Sequence, residues 1–210
     1  MINWKTAKKY WLKTYQNSNF INKSNSEEEC LKAEEFVNKY ASKIRWAKTI
    51  CELGVGIGKH LNYFLKKYPN KSYFGNDFNP GMIEIIKQLY PNIIEKCEIN
   101  IVSTDKYLKK YIKIVDAIFT YDHLMYIPED LIDFECTKIS TRVNKYILIH
   151  EINSKIDYKY NDIKSFIRFG FGRDYTNMFD DFNLKEKDTE TVIINNKEVE
   201  FNTYLFKKIG

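Results

Sequence analysis

The stretch Thr49-Ile-Cys-Glu-Leu-Gly-Val-Gly-Ile-Gly-Lys59 carries the densest chemical content of the chain. Gly54, Gly56 and Gly58 alternate behind Glu52, so the backbone can turn tightly and approach a ligand that no side chain would tolerate. A helix beginning at Lys59 adds free N–H groups suited to an anionic or carboxylate-bearing group. A dinucleotide fingerprint requires G-x-G-x-x-G, and position 59 is lysine where its third glycine would stand. Asp77 ends the next apolar run, where a carboxylate can accept from both hydroxyls of a ribose; a helix cap or turn is its other use. His123 beside Asp122, and the pair His150-Glu151, are candidate bases toward an acceptor hydroxyl or amine. A structural histidine, or a hydrogen bond supporting another side chain, competes with each of these readings. Arg168 and Arg173 stand among aromatics and glycines and suit a phosphate or carboxylate, unless they pair with Asp174 at the surface.

These residues need a scaffold, and the hydrophobic pattern supplies one. Ile50, Cys51 and Leu53 make a buried strand, and Leu61, Phe64, Leu65 and Tyr68 mark one face of the helix after the glycines. Residues 72–77 form the second strand, and Asn79-Pro80 opens a helix with Met82, Ile85, Ile86 and Leu89 inward. Pro91-Asn92 should end that helix, 97–103 form the third strand, and Asp105 is a candidate cap of a short helix over 106–111. The near-continuous apolar run 114–120 is a strand buried on both faces. Tyr121-Asp-His-Leu-Met-Tyr-Ile-Pro128 leaves its carboxyl end, the place where ligands bind in open α/β sheets. A helix from Pro128 shows Ile132, Cys136, Ile139 and Val143 on one face, Asn144 stops it, and 145–151 form the fifth strand. Two β runs meeting at Asn195-Asn196 form a closing hairpin. Before the glycines, an aromatic and basic segment over 4–15 has helical spacing, and a polar stretch over 16–25 interrupts it. Ser26 and Glu29 then make a capping box for a helix burying Ala33, Phe36, Val37, Tyr40, Ala41 and Ile44.

The 210 residues, 44% of them hydrophobic, suffice for one α/β domain with a modest extension. No apolar run is long enough to span a bilayer, and the start lacks a signal-peptide core, so a cytoplasmic protein without membrane contact is expected. The four scattered cysteines and three histidines predict free thiols and no metal site. The net charge of +5 comes from lysines interspersed with acids along the whole length, which disfavours nucleic acid as partner.

The pattern acidic-apolar-G-x-G-x-G resembles the first motif of class I S-adenosylmethionine-dependent methyltransferases. Gly75-Asn-Asp-Phe-Asn-Pro-Gly-Met82 is similar to the G-x-D-x-[S/N]-x-x-M pattern that follows it in that family. The resemblance implies a Rossmann-like α/β fold: a mostly parallel seven-stranded sheet with a C-terminal antiparallel hairpin and an N-terminal helical cover. It implies S-adenosylmethionine as cofactor, held by Glu52, Gly54, Gly56, Gly58, Asp77, Phe78 and Met82, with Asp105 near the adenine amino group and Tyr121 near the sulfonium. Trp11 and Tyr15 would touch the ligand from the cover; docking of the helix on the domain is the competing role. The segment 121–128 lacks the N-P-P-[YFW] and D-P-P-Y patterns that resemble those of amino-methylating DNA enzymes.

The second half further resembles small bacterial methyltransferase-like proteins associated with pseudaminic acid biosynthesis. The matching pieces are Phe119-Thr-Tyr-Asp-His-Leu-Met-Tyr-Ile-Pro128, Lys145-Tyr-Ile-Leu-Ile-His-Glu-Ile-Asn153, Phe171-Gly-Arg-Asp-Tyr175 and Thr203-Tyr-Leu-Phe-Lys-Lys208. Glu151, Asn153, Arg173 and Asp174 carry over, whereas the family histidine falls on Tyr126 and the proline after the asparagine is Ser154. This implies a sugar or other small polar acceptor.

The sequence therefore predicts a helical cover over 1–45 and a methyltransferase domain over 46–210. Its expected activity is methyl transfer to an oxygen or nitrogen of a small polar molecule, with a sugar or nucleotide-sugar derivative, anionic if the arginines face it, among the candidates. His123, His150 and Glu151 are the candidate catalytic residues; Asp122, Tyr126, Asn153, Arg168 and Arg173 are the candidate acceptor contacts. An RNA or protein methyltransferase and a non-catalytic binding module are the competing classes.

Overall fold

The computed structural model describes residues 12–13, 18–153, 172–194 and 197–210. Seven strands form one sheet in the order β3-β2-β1-β4-β5-β7-β6. They are β1 (Thr49–Leu53), β2 (Ser72–Asp77), β3 (Cys97–Ile101), β4 (Val115–Tyr121), β5 (Val143–Ile152), β6 (Phe182–Ile194) and β7 (Lys197–Lys208). The first five run parallel, and β7 enters antiparallel between β5 and β6. The helices are α1 (Ser18–Ser24), α2 (Glu27–Ala41), α3 (Lys59–Lys67), α4 (Gly81–Leu89), α5 (Pro91–Lys96), α6 (Thr104–Lys110) and α7 (Glu129–Arg142). The sheet is thus mostly parallel with a C-terminal antiparallel pair, as the sequence predicts; the turn residues Asn195 and Asn196 lie outside the described residues.

Alternation along the strands divides the core in two. Ala117, Phe119, Tyr146 and Leu148 face a layer that includes Phe36, Val37, Phe64, Met82 and Ile86, while Ile118, Ile147 and Ile149 face one that includes Leu108, Ile132 and Cys136. With both faces covered, the central strands read as continuous apolar runs. The strand order reverses between β1 and β4, so the loops leaving their carboxyl ends part and open a crevice there.

Four local expectations are corrected by tertiary contacts. Part of the polar 16–25 stretch is α1, and its Ile21 packs against the core. The helix before Pro91 ends at Leu89, as predicted, but Pro91 also starts α5, which the pattern does not predict; the first helical position has no N–H bond to lose. Ser103, not Asp105, precedes α6, and Asp105 lies in its first turn. Val143 leaves α7 and becomes the first residue of β5, where it pairs with Val115. Ser26 caps α2 as predicted, its Oγ accepting from the Glu29 N–H at 3.4 Å, a contribution of about 1 kcal/mol. Glu29 turns its own carboxylate to Lys32 and Lys59.

Candidate functional site

A cavity of about 360 Å³ opens at the carboxyl ends of β1, β2 and β4 and the start of α6. Gly54, Gly56 and Gly58 all take positive φ, at 74°, 54° and 87°; Gly54 and Gly56 form one wall, whereas Gly58, predicted to hold the cofactor, does not line the cavity and packs against Ile93 and Ile86. A Cβ on Gly54 would stand 2.3 Å from His123 Nδ1, so the loop and the segment after β4 meet too closely for any side chain there. The glycine loop is tied to β2: the Gly54 and Val55 N–H groups donate to the Asn76 carbonyl (3.0 and 2.9 Å), and the Gly56 N–H to Asp77 Oδ2 (3.0 Å). Asp77 Oδ1 accepts from the Asn79 N–H at 2.9 Å, and burial pushes its pKa up to about 6 against these donors.

Of the predicted cofactor residues, Glu52, Gly54, Gly56, Asp77, Phe78, Asp105 and Tyr121 line this cavity. Met82 does not, being fully buried in the core under α4; the apolar face that predicts the helix is what removes it from the site. Trp11, Tyr15 and Arg168 lie outside the described residues. The helices before β1 nevertheless reach the cavity, α1 through Ser24 and α2 through Glu29. Glu52 is 1% exposed, one of its oxygens lies 3.3 Å from His60 Nδ1, and Oε2 has no partner among the described residues. Burial raises its pKa well above the usual carboxylate range.

The three candidate catalytic residues part company. His123 lines the cavity, with Nε2 2.7 Å from Thr104 Oγ1. Thr104 Oγ1 also accepts from Asn76 Nδ2 at 3.2 Å, so Asn76, Thr104 and His123 form one chain of hydrogen bonds. Burial holds this imidazole down to about 4, so it stays neutral at pH 7. An imidazole held that far below neutrality is a weak proton acceptor at pH 7. Glu151 is corrected from catalytic group to anchor: wholly buried and outside the cavity wall, it accepts from Thr120 Oγ1 and from the N–H groups of His123, Leu124 and Met125. His150 likewise points away from the cavity, with Nδ1 2.8 Å from Thr203 Oγ1 and its ring stacked on Tyr121 and Phe201.

Among the acceptor contacts, Asp122 and Tyr126 line the cavity, whereas Asn153 and Arg173 do not. Asn153 ties β5 to β7 by donating from Nδ2 to Glu200 Oε2 at 2.7 Å. Arg173 donates to the Leu124 and Ile127 carbonyls and to Glu129, so its guanidinium fastens the loop after β4. Asp174 engages Thr176 and Lys187. These partners are set by chain crossings no local pattern encodes.

Asn76, Thr104, His60 and Glu135 also shape the site and were absent from the sequence-based set. Glu135 had a readable signal: with Ile132, Cys136 and Ile139 at i, i+3, i+4 and i+7, it belongs to the apolar stripe of α7. It is 3% exposed, its Oε2 has no partner among the described residues, and burial pushes its pKa up to about 7. In all, six carboxyl groups face the cavity (Glu29, Glu52, Asp77, Asp105, Asp122 and Glu135) against the two lysines Lys59 and Lys106. Unpartnered buried carboxyl oxygens suit a guest carrying cationic or N–H groups, and the glycine wall suits close backbone approach.

No protein-family model and no curated protein matches this sequence. Solved structures do match in fold. Magnesium protoporphyrin IX methyltransferase from Synechocystis, solved with S-adenosylhomocysteine, aligns with a TM-score of 0.65 at 11% identity, over 97% of this chain and 95% of that one. Coclaurine N-methyltransferase, bound to N-methylheliamine and S-adenosylhomocysteine, gives 0.64 at 12% identity over 84% and 72%. The O-methyltransferase region of StiE gives 0.64 at 11% identity over 90% and 79%. The chain therefore has the Rossmann-like methyltransferase fold.

Proposed function

We propose that this chain is an S-adenosylmethionine-dependent methyltransferase acting on an oxygen or nitrogen of a small polar molecule. The observation that carries the reading is the glycine loop with three positive-φ glycines, tied to Asp77 and facing the unpartnered Glu52 oxygen where the strand order reverses. Solved structures of the same fold that contain S-adenosylmethionine or its demethylated product support the choice of cofactor. Glu52, Gly54, Gly56, Asp77, Phe78 and Asp105 are the residues that would hold it. Asp77 keeps lone pairs beyond its two backbone bonds for hydroxyl donors, and Glu52 Oε2 awaits an N–H or cationic partner. When bound, the cofactor supplies an activated sulfonium methyl; the chain's own work is to position the acceptor and take its proton.

The sugar reading rests on the resemblance alone. Its carried-over residues Glu151, Asn153, Arg173 and Asp174 serve the loop after β4 and the strand ends. The surplus of carboxyl groups in the cavity argues against an anionic acceptor and against a polyanion such as RNA. Calorimetric titration with S-adenosylhomocysteine tests the assignment. Binding with Kd below about 100 μM is expected; absence of heat at millimolar ligand refutes it. Single-turnover methyl release then separates an enzyme from a binding module.

A further inference from the structure

Asp122 is the described residue outside glycine that holds positive φ, at 52°. Left-handed backbone is costly for most side chains, and such residues persist where the surroundings impose them. Here the Asp122 N–H donates to the His150 carbonyl at 3.0 Å, and the residue lines the cavity with its Oδ1 buried and unpartnered among the described residues. The same end of the cavity holds Glu29 from α2, Lys59 and Glu52. Lys59 contacts Glu29 at 3.4 Å and its charge also reaches Asp122, but it leaves Asp122 Oδ1 without a hydrogen-bond partner among the described residues.

Three carboxyl oxygens on residues that line the cavity lack a partner among the described residues, Glu52 Oε2, Glu135 Oε2 and Asp122 Oδ1. A bound S-adenosylmethionine brings one ammonium; its sulfonium has no N–H to give. With that ammonium at Glu52 and the adenine amino group toward Asp105 and Glu135, the Asp122 oxygen is left for a donor on the acceptor. Resting on the methyltransferase reading above, we propose that the acceptor is a protonated amine whose ammonium is held by Asp122, making the reaction N-methylation.

In the transfer, the ammonium N–H bond breaks and its proton passes to the Asp122 carboxylate. The freed nitrogen lone pair forms the bond to the methyl carbon while the C–S pair returns to sulfur, leaving a neutral thioether and a methylammonium product. Asp122 then gives its proton to solvent, so each turnover releases one proton. Burial first, then the charges of Glu151, Glu29 and Glu190, raise the Asp122 pKa well above the usual carboxylate range, which makes it a better proton acceptor than an exposed aspartate. His123 is the weaker candidate, since its Nε2 is engaged with Thr104 Oγ1 and burial holds its pKa down to about 4.

The test uses the full chain saturated with S-adenosylhomocysteine, which blocks turnover. Benzylamine, phenethylamine and n-butylamine are titrated against benzyl alcohol, 2-phenylethanol and n-butanol. The wild type should prefer amines by about 10- to 100-fold, the range for a hydrogen bond to a charged group. Asp122→Asn should abolish that preference and leave S-adenosylhomocysteine affinity within about threefold. Asparagine accepts positive φ as aspartate does, so the backbone is preserved; Asp122→Gly serves the same purpose if the first variant fails to fold. No preference for any amine, or a preference that survives both variants, overturns the proposal. So does loss of S-adenosylhomocysteine binding in Asp122→Asn, which would assign this carboxylate to the cofactor's own ammonium. Failure of the wild type to bind S-adenosylhomocysteine would instead bring down the methyltransferase reading itself.

Discussion

Replacing Glu151 with glutamine separates an anchor from a catalyst. The Oε1 atom accepts from Thr120 Oγ1 (3.0 Å), His123 N (3.0 Å) and Leu124 N (2.7 Å), and Oε2 accepts from Met125 N (3.0 Å). Glutamine preserves the shape but has one acceptor oxygen. In its better orientation three donors remain satisfied and the Met125 N–H faces an amide NH₂. A stranded buried donor costs about 1–3 kcal/mol, and the three surviving bonds lose their charge assistance, so the total is about 2–5 kcal/mol. Burial pushes the Glu151 pKa up to about 7, so the comparison belongs at pH 8, where the carboxylate is ionised; below pH 7 the folded wild type takes up a proton before the unfolded chain does, so it gains stability that glutamine does not and the gap should widen. With a urea slope of about 2 kcal/mol/M, the unfolding midpoint should fall by about 1–2.5 M. A midpoint within about 0.3 M of the wild type, with methyl transfer lost, would make Glu151 a chemical participant and refute the anchoring argument.

Three further outcomes are expected. Gly54→Ala should weaken S-adenosylhomocysteine binding by more than about tenfold, because φ is 74° and the new Cβ would collide with His123; adding His123→Ala should recover part of the loss, as read by calorimetry. Arg173→Met takes from the Ile127 carbonyl its side-chain donor and from the Leu124 carbonyl one of its two donors, the Ile127 N–H remaining, and should cost about 2–4 kcal/mol in urea unfolding; a surface arginine would change nothing. His150, held down to about 3 by burial, stays neutral in the fold while its unfolded counterpart titrates near 6.5. Its stabilisation is complete above pH 6.5 and is lost as pH falls toward 3. His150→Gln should therefore flatten the acid loss by up to about 1.4 kcal/mol per pH unit in that window, and parallel pH profiles for the two proteins would contradict the assignment.

Much of the site's frame was readable. Glu52, the three glycines and Asp77 announce themselves by type and spacing, and Asp122, His123 and Tyr126 by standing at a strand's carboxyl end. Roles were less readable than positions. His150 and Glu151 leave β5 as neighbours, yet both are taken up by partners from other elements, Thr203 on β7 and the loop after β4. Glu135 sits inside an apolar stripe where an acidic residue is easily passed over, and it faces the cavity because α7 packs beside α6.

By itself the sequence determined the α/β alternation, the closing hairpin and the glycine turn, because hydrophobic period and the φ freedom of glycine act over a few residues. Only the tertiary structure decided which carboxylates face the cavity and which hold the chain together. A buried charged group is satisfied by whatever donors the neighbouring strand and loop bring within about 3 Å, and that depends on register and crossing between segments far apart in the chain.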